Sequence, residues 1–296
     1  MSDSVITDTN RRHDFVLLFD VKDGNPNGDP DAGNQPRVDP ETMEGLVTDV
    51  AIKRKVRDYV DIAHGDGRFK VYVQHGQFLA DRRKGVLDER GNGEKTPKPN
   101  EARRWMCEEF YDVRMFGAVM SMKEHNAGQV RGPMQLTFAR SISPITPLDA
   151  SIVGPAQNKK DVNQESSEGQ ATNYGTMGRK ALVPYGLYRG HGFFNPHFAE
   201  KTGVVEEDLA LFWNALEMMW DVDRSAARGE MACRGLYVFS HDSKLGNAAA
   251  HRLFELIRTP KSESDAPRSF SDYRVERPAD GPVKGVAGVT LTTLVG

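Results

Sequence analysis

The order of hydrophobic and polar positions along the chain predicts a protein that mixes strands with helices. Residues 15–21 form a compact apolar run without clean alternation, which is typical of a strand buried on both faces. Residues 206–220 place apolar side chains every three or four positions and predict the clearest helix. By the same patterns we expect a short helix at 248–256 and further strands at 71–79, 130–142, 182–194, 234–239 and 283–295.

A helix with a basic side is expected to follow the first strand. Pro40 and Thr42 suit its start. Its apolar face contains Ile52, Val56, Tyr59 and Ala63. The adjacent stripe is basic and contains Lys53, Arg54 and Arg57. Charged helix faces are often only solvated, so the stripe alone does not define a site.

The loop between this strand and this helix is the most informative stretch of the sequence. It consists of Asp23-Gly-Asn-Pro-Asn-Gly-Asp-Pro30, and a second turn-rich piece covers residues 31–40. Glycines allow backbone amides to approach a ligand closely, and the N-terminus of a helix favours anions. A strand, a Gly/Asn loop and a basic helix therefore predict that the chain holds the phosphates of a nucleic acid.

The same loop also imitates the first half of a calcium-binding EF-hand loop. The residues at matching spacing are Asp23, Asn25, Asn27, Gly28 and Asp29. The match ends at the twelfth position, where Asn34 stands in place of the bidentate glutamate. A turn stabilised by Asx hydrogen bonds accounts for the same composition and is compatible with amides that face a phosphate. A calcium-dependent interaction module is thus the alternative from a different functional class.

Two segments interrupt the main pattern and are expected to be insertions. The first covers residues 64–112, within which the charged, Gly- and Pro-rich stretch 81–100 predicts a mobile loop. A helix is expected at 101–113 and a turn at 114–117. The second covers residues 151–180, which almost lack large apolar side chains and are expected to project from the fold or to be ordered by a partner. Without these insertions, the order of elements is close to the split βαβ arrangement of the ferredoxin-like α+β fold.

Composition limits the class of protein without identifying it. The chain has 296 residues and a formal net charge of −3, so any surface that binds nucleic acid must be local. No apolar run is long enough to span a bilayer, and the polar N-terminus does not resemble a signal peptide. Because the two cysteines, Cys107 and Cys233, are far apart in sequence, we expect no disulfide framework and a cytoplasmic location.

The sequence offers no recognisable constellation for catalysis or metal binding. The eight histidines do not pair at metal-ligand spacing, and no Cys-x-x-Cys, His-Glu-x-x-His or Gly-x-Ser-x-Gly motif occurs. Residues 234–239 match the first RNA-binding signature of an RRM only weakly. They begin with Arg-Gly, but their aromatic residues do not stand at the positions of the signature, which favours a core strand. We therefore expect no catalytic residue, no metal and no cofactor.

Several short motifs are spread along the chain and are informative in combination. They are Asn25-Pro-Asn-Gly-Asp29, Thr42-Met-Glu-Gly-Leu-Val-Thr-Asp-Val50, Lys53-Arg-Lys-Val-Arg57, Asp112-Val-Arg-Met-Phe-Gly117, Gly132-Pro-Met-Gln135, Ala139-Arg-Ser141 and Ser240-His-Asp-Ser-Lys-Leu-Gly-Asn247. Together they resemble the backbone subunit of a type I CRISPR surveillance complex (Cascade), a guide-RNA-binding subunit of the RAMP superfamily. The resemblance is strongest to the I-C branch, covers roughly residues 15–255, and depends on the combination of motifs rather than on any single one.

The resemblance implies a fold, an assembly and a set of partners. Such subunits have an RRM-like palm with inserted fingers and a projecting thumb, and residues 64–112 and 151–180 would be the fingers and the thumb. Many copies stack head to tail along one CRISPR RNA and pre-order it for pairing with a target DNA strand. The implied partners are CRISPR RNA, target DNA, neighbouring copies of the chain and other Cascade subunits, with no membrane.

The resemblance and the basic loop–helix pattern together give a set of candidate RNA-binding residues. They are Asn25, Asn27, Gly28, Arg37, Lys53, Arg54, Arg57, Arg114, Gln135, Arg140, Ser141, Lys159, Lys160, Met177, Arg179 and Lys180. Related type III subunits cleave RNA with a thumb aspartate, and Asp161 lies in the corresponding region. An endoribonuclease of the same superfamily is therefore the alternative to a non-catalytic scaffold.

Overall fold

The computed structural model describes residues 3–91, 97–122, 125–153 and 177–296. Its helices are α1 (Asp3–Ile6), α2 (Asp49–Ala63), α3 (Leu79–Arg90), α4 (Pro99–Glu109), α5 (Tyr111–Phe116), α6 (Pro196–Thr202), α7 (Glu206–Val222) and α8 (Ala250–Phe254). Its strands are β1 (His13–Gly24), β2 (Gly28–Asp29), β3 (Gln35–Pro36), β4 (Glu44–Val47), β5 (Gly117–Met120), β6 (Gly128–Arg131), β7 (Met134–Leu136), β8 (Ala139–Pro144), β9 (Leu148–Val153), β10 (Met177–Phe194), β11 (Glu230–His241), β12 (Gly281–Pro282) and β13 (Val289–Val295). No helix within the described ranges is long and apolar enough to cross a membrane.

A large antiparallel sheet has the order β12-β13-β11-β1-β10-β8-β4, and β7 and β9 also pair with β10. Its central strand, β1, pairs with β10 along its whole length and with β11 from His13 to Lys22. Alternate side chains of β1 enter two different cores, with Phe15, Leu17, Phe19 and Val21 on one face and Val16 and Leu18 on the other. This double burial explains the missing alternation and confirms the predicted strand.

Helices α2 and α7 contribute to the core on one face of the sheet. The apolar side of α7 is buried there, which confirms the helix predicted at 206–220. The ring of Phe19 stacks on Tyr188 at a centroid distance of 5.4 Å and on Trp220 at 4.6 Å. These aromatic contacts fix the sheet and α7 to one another by large-area packing.

The opposite face of the sheet is covered by the C-terminal part of the chain. Leu253, Ile257 and Tyr273 pack there against the buried side chains of Tyr237 and Phe239 on β11. Strand β11 is therefore a core strand, as the sequence predicts, and its aromatic rings are not available on an open platform.

A third, smaller core lies among α3, α4, α5 and the β5–β6 hairpin. Its helix α3 shows that the mobile loop predicted at 81–100 is wrong for residues 81–90, because Val86 and Leu87 are buried on an otherwise polar helix. The strand expected at 71–79 is also wrong. The carboxylate of Asp112 accepts the backbone amides of Tyr72 and Val73 at 2.7 and 3.1 Å, so these amides do not enter a strand ladder.

The predicted start of the second helix is wrong by several residues. The segment before Thr48 is strand β4, which pairs with β8, and α2 begins after Thr48. The side chain of Thr48 caps the helix by accepting the backbone amide of Ala51 at 3.3 Å. Pro40 and Thr42 instead lie in the turn that leads into β4.

The single strand expected at 130–142 is divided into β6, β7 and β8. The first interruption is at Gly132, where a Cβ atom would lie 2.3 Å from the backbone carbon of Phe116. This close approach requires glycine and lets the chain pass from the small hairpin into the large sheet.

Buried histidine gives the fold a predicted pH dependence. His13 is fully buried, with Nδ1 2.9 Å from Ser240 Oγ and Nε2 2.9 Å from the Asp8 carbonyl, and burial lowers its pKa to about 4. Burial likewise lowers the pKa of His191 to about 4. The unfolded chain binds protons at these two histidines below pH 6.5, whereas the folded chain binds them only near pH 4. The contribution of the neutral histidines to the free energy of unfolding is therefore complete above pH 6.5 and is lost as the pH falls towards 4.

We expect the free energy of unfolding to fall by about 1.4 kcal/mol per pH unit for each of these two histidines in that window. Urea unfolding at pH 7.5, 6.0 and 5.0 measures this slope. His13→Gln should reduce the slope by about half, whereas replacement of the exposed His75 by Gln should not change it. A slope that His13→Gln leaves intact contradicts the assignment.

Candidate nucleic-acid interface

The loop that follows β1 lies directly against the turn between α7 and β11. The backbone amide of Asn25 donates to the carbonyl of Ala227 at 2.7 Å. A Cβ atom at Gly24 would lie only 1.8 Å from the carbonyl oxygen of Arg228, and Gly229 has a φ of 65°. Because both positions require glycine, the loop and the turn approach each other more closely than other residues allow.

Asparagine side chains fix the shape of this loop. Asn25 donates through Nδ2 to the carbonyl of Asn34 at 2.7 Å, and Asn27 Oδ1 accepts the backbone amide of Thr48 at 2.9 Å. The loop is thereby attached to the N-terminus of α2. Gly28 pairs with Pro36 in the β2–β3 ladder, and a Cβ atom there would lie 2.0 Å from Asn34 Oδ1.

These contacts use the loop's polar groups internally, in the way that an Asx-stabilised turn does. The side chain of Asn25 is buried, and its Nδ2 donates to the backbone of the loop. Among the residues that the structure describes, no group of three His, Cys, Asp or Glu side chains is arranged to hold a metal ion.

A cavity of about 370 Å³ opens beside the loop and the first turn of α2. We call it the loop cavity. Its lining contains four cationic side chains and one carboxylate. The lining residues are Pro26, Asn27, Arg37, Thr48, Val50, Ala51, Arg54, Lys55, Asp223 and Arg228. The cavity thus brings together three of the predicted residues, Asn27, Arg37 and Arg54, in a positively charged setting.

Asp223 organises the cations on one wall of the loop cavity. It forms ion pairs with the buried Lys55 and with Arg228, whose Nε lies 3.1 Å from Asp223 Oδ2. Burial lowers the pKa of Lys55, and the hydrogen bond that its ammonium donates to Asp223 opposes that shift. Arg228 also donates through Nη1 to the carbonyl of Asn25 at 3.4 Å, so the same arginine contacts the loop.

The two predicted arginines on the other side are held more loosely. Arg37 pairs with Asp29 at 3.2 Å and keeps 31% of its side chain exposed. Arg54 pairs with Asp58 at 3.5 Å across one helical turn and keeps 57% exposed. Ion pairs that stay partly in solvent are weak, so both guanidinium groups can exchange their partner for an anion.

Lys53 and Arg57 lie on α2 but outside the lining of the loop cavity. Lys53 pairs with Asp49 at 2.9 Å, and Arg57 pairs at 2.8 Å with Asp112, which is buried. Both cations also lie over the ring of Phe116, at 5.8 and 5.3 Å from its centroid. The basic stripe therefore divides into Arg54, which faces the cavity, and two residues that contact α5.

Arg114 is buried and has no surface position. It lies in α5, where the sequence predicts a turn, and is 1% exposed. Its Nη2 lies 2.8 Å from Asp208 Oδ1, its Nε 3.1 Å from Asp208 Oδ2, and its Nη1 donates to the carbonyl of Cys107 at 2.7 Å. This geometry is that of a buried structural ion pair.

Three further predicted residues lie on β7 and β8, two strands that pair with β10. Gln135, on β7, donates to the carbonyl of Gly132 at 3.1 Å. Arg140, on β8, is exposed and lies 2.9 Å from Asp39, and its hydrogen bond lowers the pKa of that carboxyl. Ser141 is buried, and its hydroxyl accepts the backbone amide of Gly45 at 2.8 Å. None of the three lines the loop cavity.

The predicted residues of the second insertion are only partly described. Strand β9 pairs with the first part of β10, with Arg179 opposite Ser151 and Lys180 opposite Ala150. Arg179 is exposed, and the backbone of Met177 pairs with Val153 at the end of this ladder. Lys159, Lys160 and Asp161 lie outside the described residues.

Sequence reasoning missed two cations of the loop cavity, Lys55 and Arg228. Lys55 belongs to the basic run of α2, but its position between Val56 and Arg54 gives no sign that its ammonium group is buried against Asp223. Arg228 lies within the turn between α7 and β11, a segment of mixed charge about 200 residues after the loop. The glycines at positions 24 and 229 are the sequence signal for this contact. They indicate it only once the pairing register of β1 and β11 is known.

Comparison with known proteins gives a consistent family. The family model described as CRISPR-associated protein Cas7 matches residues 11–277. A relative from Haloferax volcanii, described as "CRISPR-associated protein Cas7", is 24% identical over 291 residues, which cover 90% of this chain and 81% of that protein. A chain of a solved "CRISPR RNA-guided surveillance complex, pre-nicking" is similar with a TM-score of 0.51 at 15% identity, covering 77% of this chain and 78% of that one. The structural likeness shows a shared mixed α/β fold with a large antiparallel sheet.

The buried position of Arg114 generates a stability prediction. Arg114→Met removes the buried cation beside the fully buried Asp208, which keeps Arg68 at 2.7 Å. The loss of stability should therefore lie between about 1 kcal/mol and the roughly 3–5 kcal/mol that breaking a buried pair outright costs. Urea unfolding at pH 7.5 measures the loss. Arg104→Met is the control because Arg104 is 69% exposed, and it should change stability by less than about 0.5 kcal/mol. An Arg114→Met variant as stable as the control would contradict the structural role.

Proposed function

This chain belongs to the family of the CRISPR-associated protein Cas7, and we propose that it is a guide-RNA-binding backbone subunit of a CRISPR surveillance complex. The observation that carries the proposal is the loop cavity. There the Gly/Asn loop, the N-terminus of α2 and four cationic side chains converge. Such a site is suited to the phosphates of a nucleic acid.

The chemistry of the loop cavity fits a subunit that accepts any guide sequence. A guide carries an arbitrary spacer, so a protein that holds it must bind sugar and phosphate rather than base edges. The lining offers the guanidinium groups of Arg37, Arg54 and Arg228 beside the first turn of α2. Holding the guide in an extended, ordered form also lowers the entropic cost of pairing with target DNA.

The strand order supports an RRM-like palm. Strands β11, β1, β10 and β8 are neighbours in that order, and α2 and α7 contribute to the core on one face. Along the chain these elements occur in the order β1, α2, β8, β10, α7 and β11, with other elements between them. This chain order, together with the order of the strands in the sheet, matches a split βαβ arrangement. The covered opposite face further supports binding through the loop edge rather than through stacked bases on the sheet.

Two features support the proposed insertions. The third core has its own buried residues, from Tyr72 to Val130, and supports a finger domain at 64–112 that is joined to the β5–β6 hairpin. The β9–β10 ladder places residues 153 and 177 opposite each other and supports a thumb hairpin at 151–180. We further propose that the complex is of type I-C, that several copies assemble head to tail along the guide, and that the guide pairs with a target DNA strand.

The loop cavity generates a binding prediction. Arg54→Gln should weaken the affinity for single-stranded RNA by a similar factor for unrelated sequences, because phosphate contacts carry no sequence information. If Arg54 contacts one phosphate, the slope of log K against log salt concentration should also fall by about 0.7. Fluorescence anisotropy of labelled RNA measures both the affinity and the slope. A range of about 50 to 300 mM salt is wide enough, because a few phosphate contacts change the affinity by roughly tenfold across it.

The matched control is Arg104→Gln. Arg104 is exposed and also pairs with a glutamate one helical turn away at 3.5 Å, but it lies on α4, far along the chain from the loop. It should leave affinity and slope unchanged. Equal effects of the two substitutions would mean that only general charge matters and that the loop cavity is not the site. Reversal of Lys53 with Arg57 is a poorer test, because Arg57 pairs with the buried Asp112.

We propose that the chain is not an enzyme, and a cleavage assay tests this. Purified chain incubated with labelled guide RNA, or with complementary RNA and Mg²⁺, should leave both strands intact. If it cleaves either strand and Asp161→Ala abolishes cleavage, the alternative endoribonuclease is correct. Cleavage that survives Asp161→Ala in repeated preparations would contradict the non-catalytic role and assign the activity to other residues.

A further inference from the structure

The carboxylate of Asp223 lies among the cations of the loop cavity. Among the described residues that line this cavity it is the only carboxylate, and it directly follows the last residue of α7. A helix carries a partial negative charge at its C-terminus, so an acidic side chain at that end costs stability unless cations offset it. The helix gains nothing from this carboxylate, and the reason for its position must lie in the cavity.

One oxygen of this carboxylate holds two cations of unequal exposure. Asp223 Oδ2 accepts a hydrogen bond from the ammonium of Lys55, and Arg228 Nε donates to the same oxygen at 3.1 Å. The side chain of Lys55 is 4% exposed, that of Asp223 15% and that of Arg228 23%. Lys55 and Asp223 therefore form a nearly buried pair, whereas Arg228 lies at the border between this pair and the open cavity.

Arg228 is already paired before any ligand enters the cavity. Its Nε bonds to Asp223, and its Nη1 makes only a long hydrogen bond of 3.4 Å to the carbonyl of Asn25. A guanidinium group has five N–H donors in a planar fork that matches two oxygens of a phosphate. A phosphate that replaces the carboxylate on Arg228 therefore gains a bidentate partner.

The negative charge of Asp223 also acts on other groups beside the cavity. Burial raises the pKa of Asp58, the partner of Arg54, and the charge of Asp223 raises it further, while Arg54 opposes both effects. A charge that disfavours one anion disfavours a phosphate in the same place by the same Coulomb law. Asp223 thus opposes the binding of the anion that the arginines of the loop cavity attract.

We infer that Asp223 is an internal competitor for the phosphates of a bound strand. In the chain without nucleic acid it occupies Arg228, and a phosphate takes its place on the guanidinium group when a strand enters. Lys55 keeps the carboxylate as its counter-ion throughout, so the exchange does not break the buried pair. This inference rests on the proposed function and adds a regulation of the same site. One chain alone binds nucleic acid weakly, and stable capture needs a strand that several copies hold at once.

Two variants of the full-length chain test this competition by fluorescence anisotropy with a labelled single-stranded RNA. Asp223→Asn keeps the shape of the side chain without its charge. It should tighten binding by about 3- to 30-fold, the effect of removing one unit charge about 5 Å from a phosphate near a protein surface. If the released Arg228 contacts one phosphate, the slope of log K against log salt concentration should also become steeper by about 0.7.

The second variant, Lys55→Met combined with Asp223→Asn, remains informative if the single substitution folds poorly. Asp223→Asn alone leaves the buried ammonium of Lys55 without its counter-ion, whereas the double variant removes both charges of the pair. It removes one cation and one carboxylate, so the net charge of the cavity is unchanged. It should still bind RNA at least about threefold more tightly, with the steeper salt slope, because Arg228 no longer has an internal partner.

Asp221→Asn is the matched control. Asp221 lies two residues before Asp223, but its side chain is 65% exposed and does not line the loop cavity. Because salt and water screen such a charge, its removal should change the affinity by less than about twofold. Equal or weaker binding by the double variant, or the same tightening by Asp221→Asn as by Asp223→Asn, would overturn the competition while leaving the proposed function intact. Failure of the unmodified chain and of both variants to bind RNA would overturn the proposed function together with it.

Discussion

The close backbone approach of Gly24 to Gly229 is the constraint on which the loop cavity depends. A side chain at Gly24 would collide with the carbonyl of Arg228, and Gly229 needs a positive φ. This approach lets Asn25 bond to Ala227 and brings Arg228 to the loop. The strand that leads into the contact, β1, is buried on both faces and cannot shift its register without moving apolar side chains out of two cores.

The cations of this chain fall into two physical classes. Arg57 and Arg114 pair with the buried carboxylates of Asp112 and Asp208, and these pairs join the third core to α2 and α7. Arg37 and Arg54 have partly exposed partners, and their own side chains are 31% and 57% exposed. Because a buried ion pair is costly to break and a partly solvated one is less so, the second class is better suited to exchange its partner for a phosphate.

Patterns in the sequence predict the elements that have long apolar or periodic runs. The strand at 15–21, the helix at 206–220 and the core strand at 234–239 are all confirmed, because each buries a continuous apolar surface. Helix α3 is missed because only Val86 and Leu87 are apolar and buried among charged residues, and Arg83 is buried by a contact with Tyr72 that no local pattern reveals.

The candidate site is predictable only in part, for a related reason. The Gly/Asn loop and Arg54 are visible as local motifs, and both lie at the loop cavity. Arg114 is equally conspicuous in sequence, but its burial depends on Asp208, which lies 94 residues away. Arg228 is inconspicuous because its role arises from the pairing of β1 with β11. Local sequence therefore identifies the loop, and long-range packing decides which cations accompany it.

Native mass spectrometry of the assembled complex determines whether this chain is a guide-binding subunit present in several copies. The chain would be tagged, co-expressed with a CRISPR array and the neighbouring complex subunits, and purified through its tag. We expect a particle that contains one RNA of uniform length and several copies of this chain. Recovery of the chain without RNA, or with RNA of random lengths and a single copy of the chain, would contradict it.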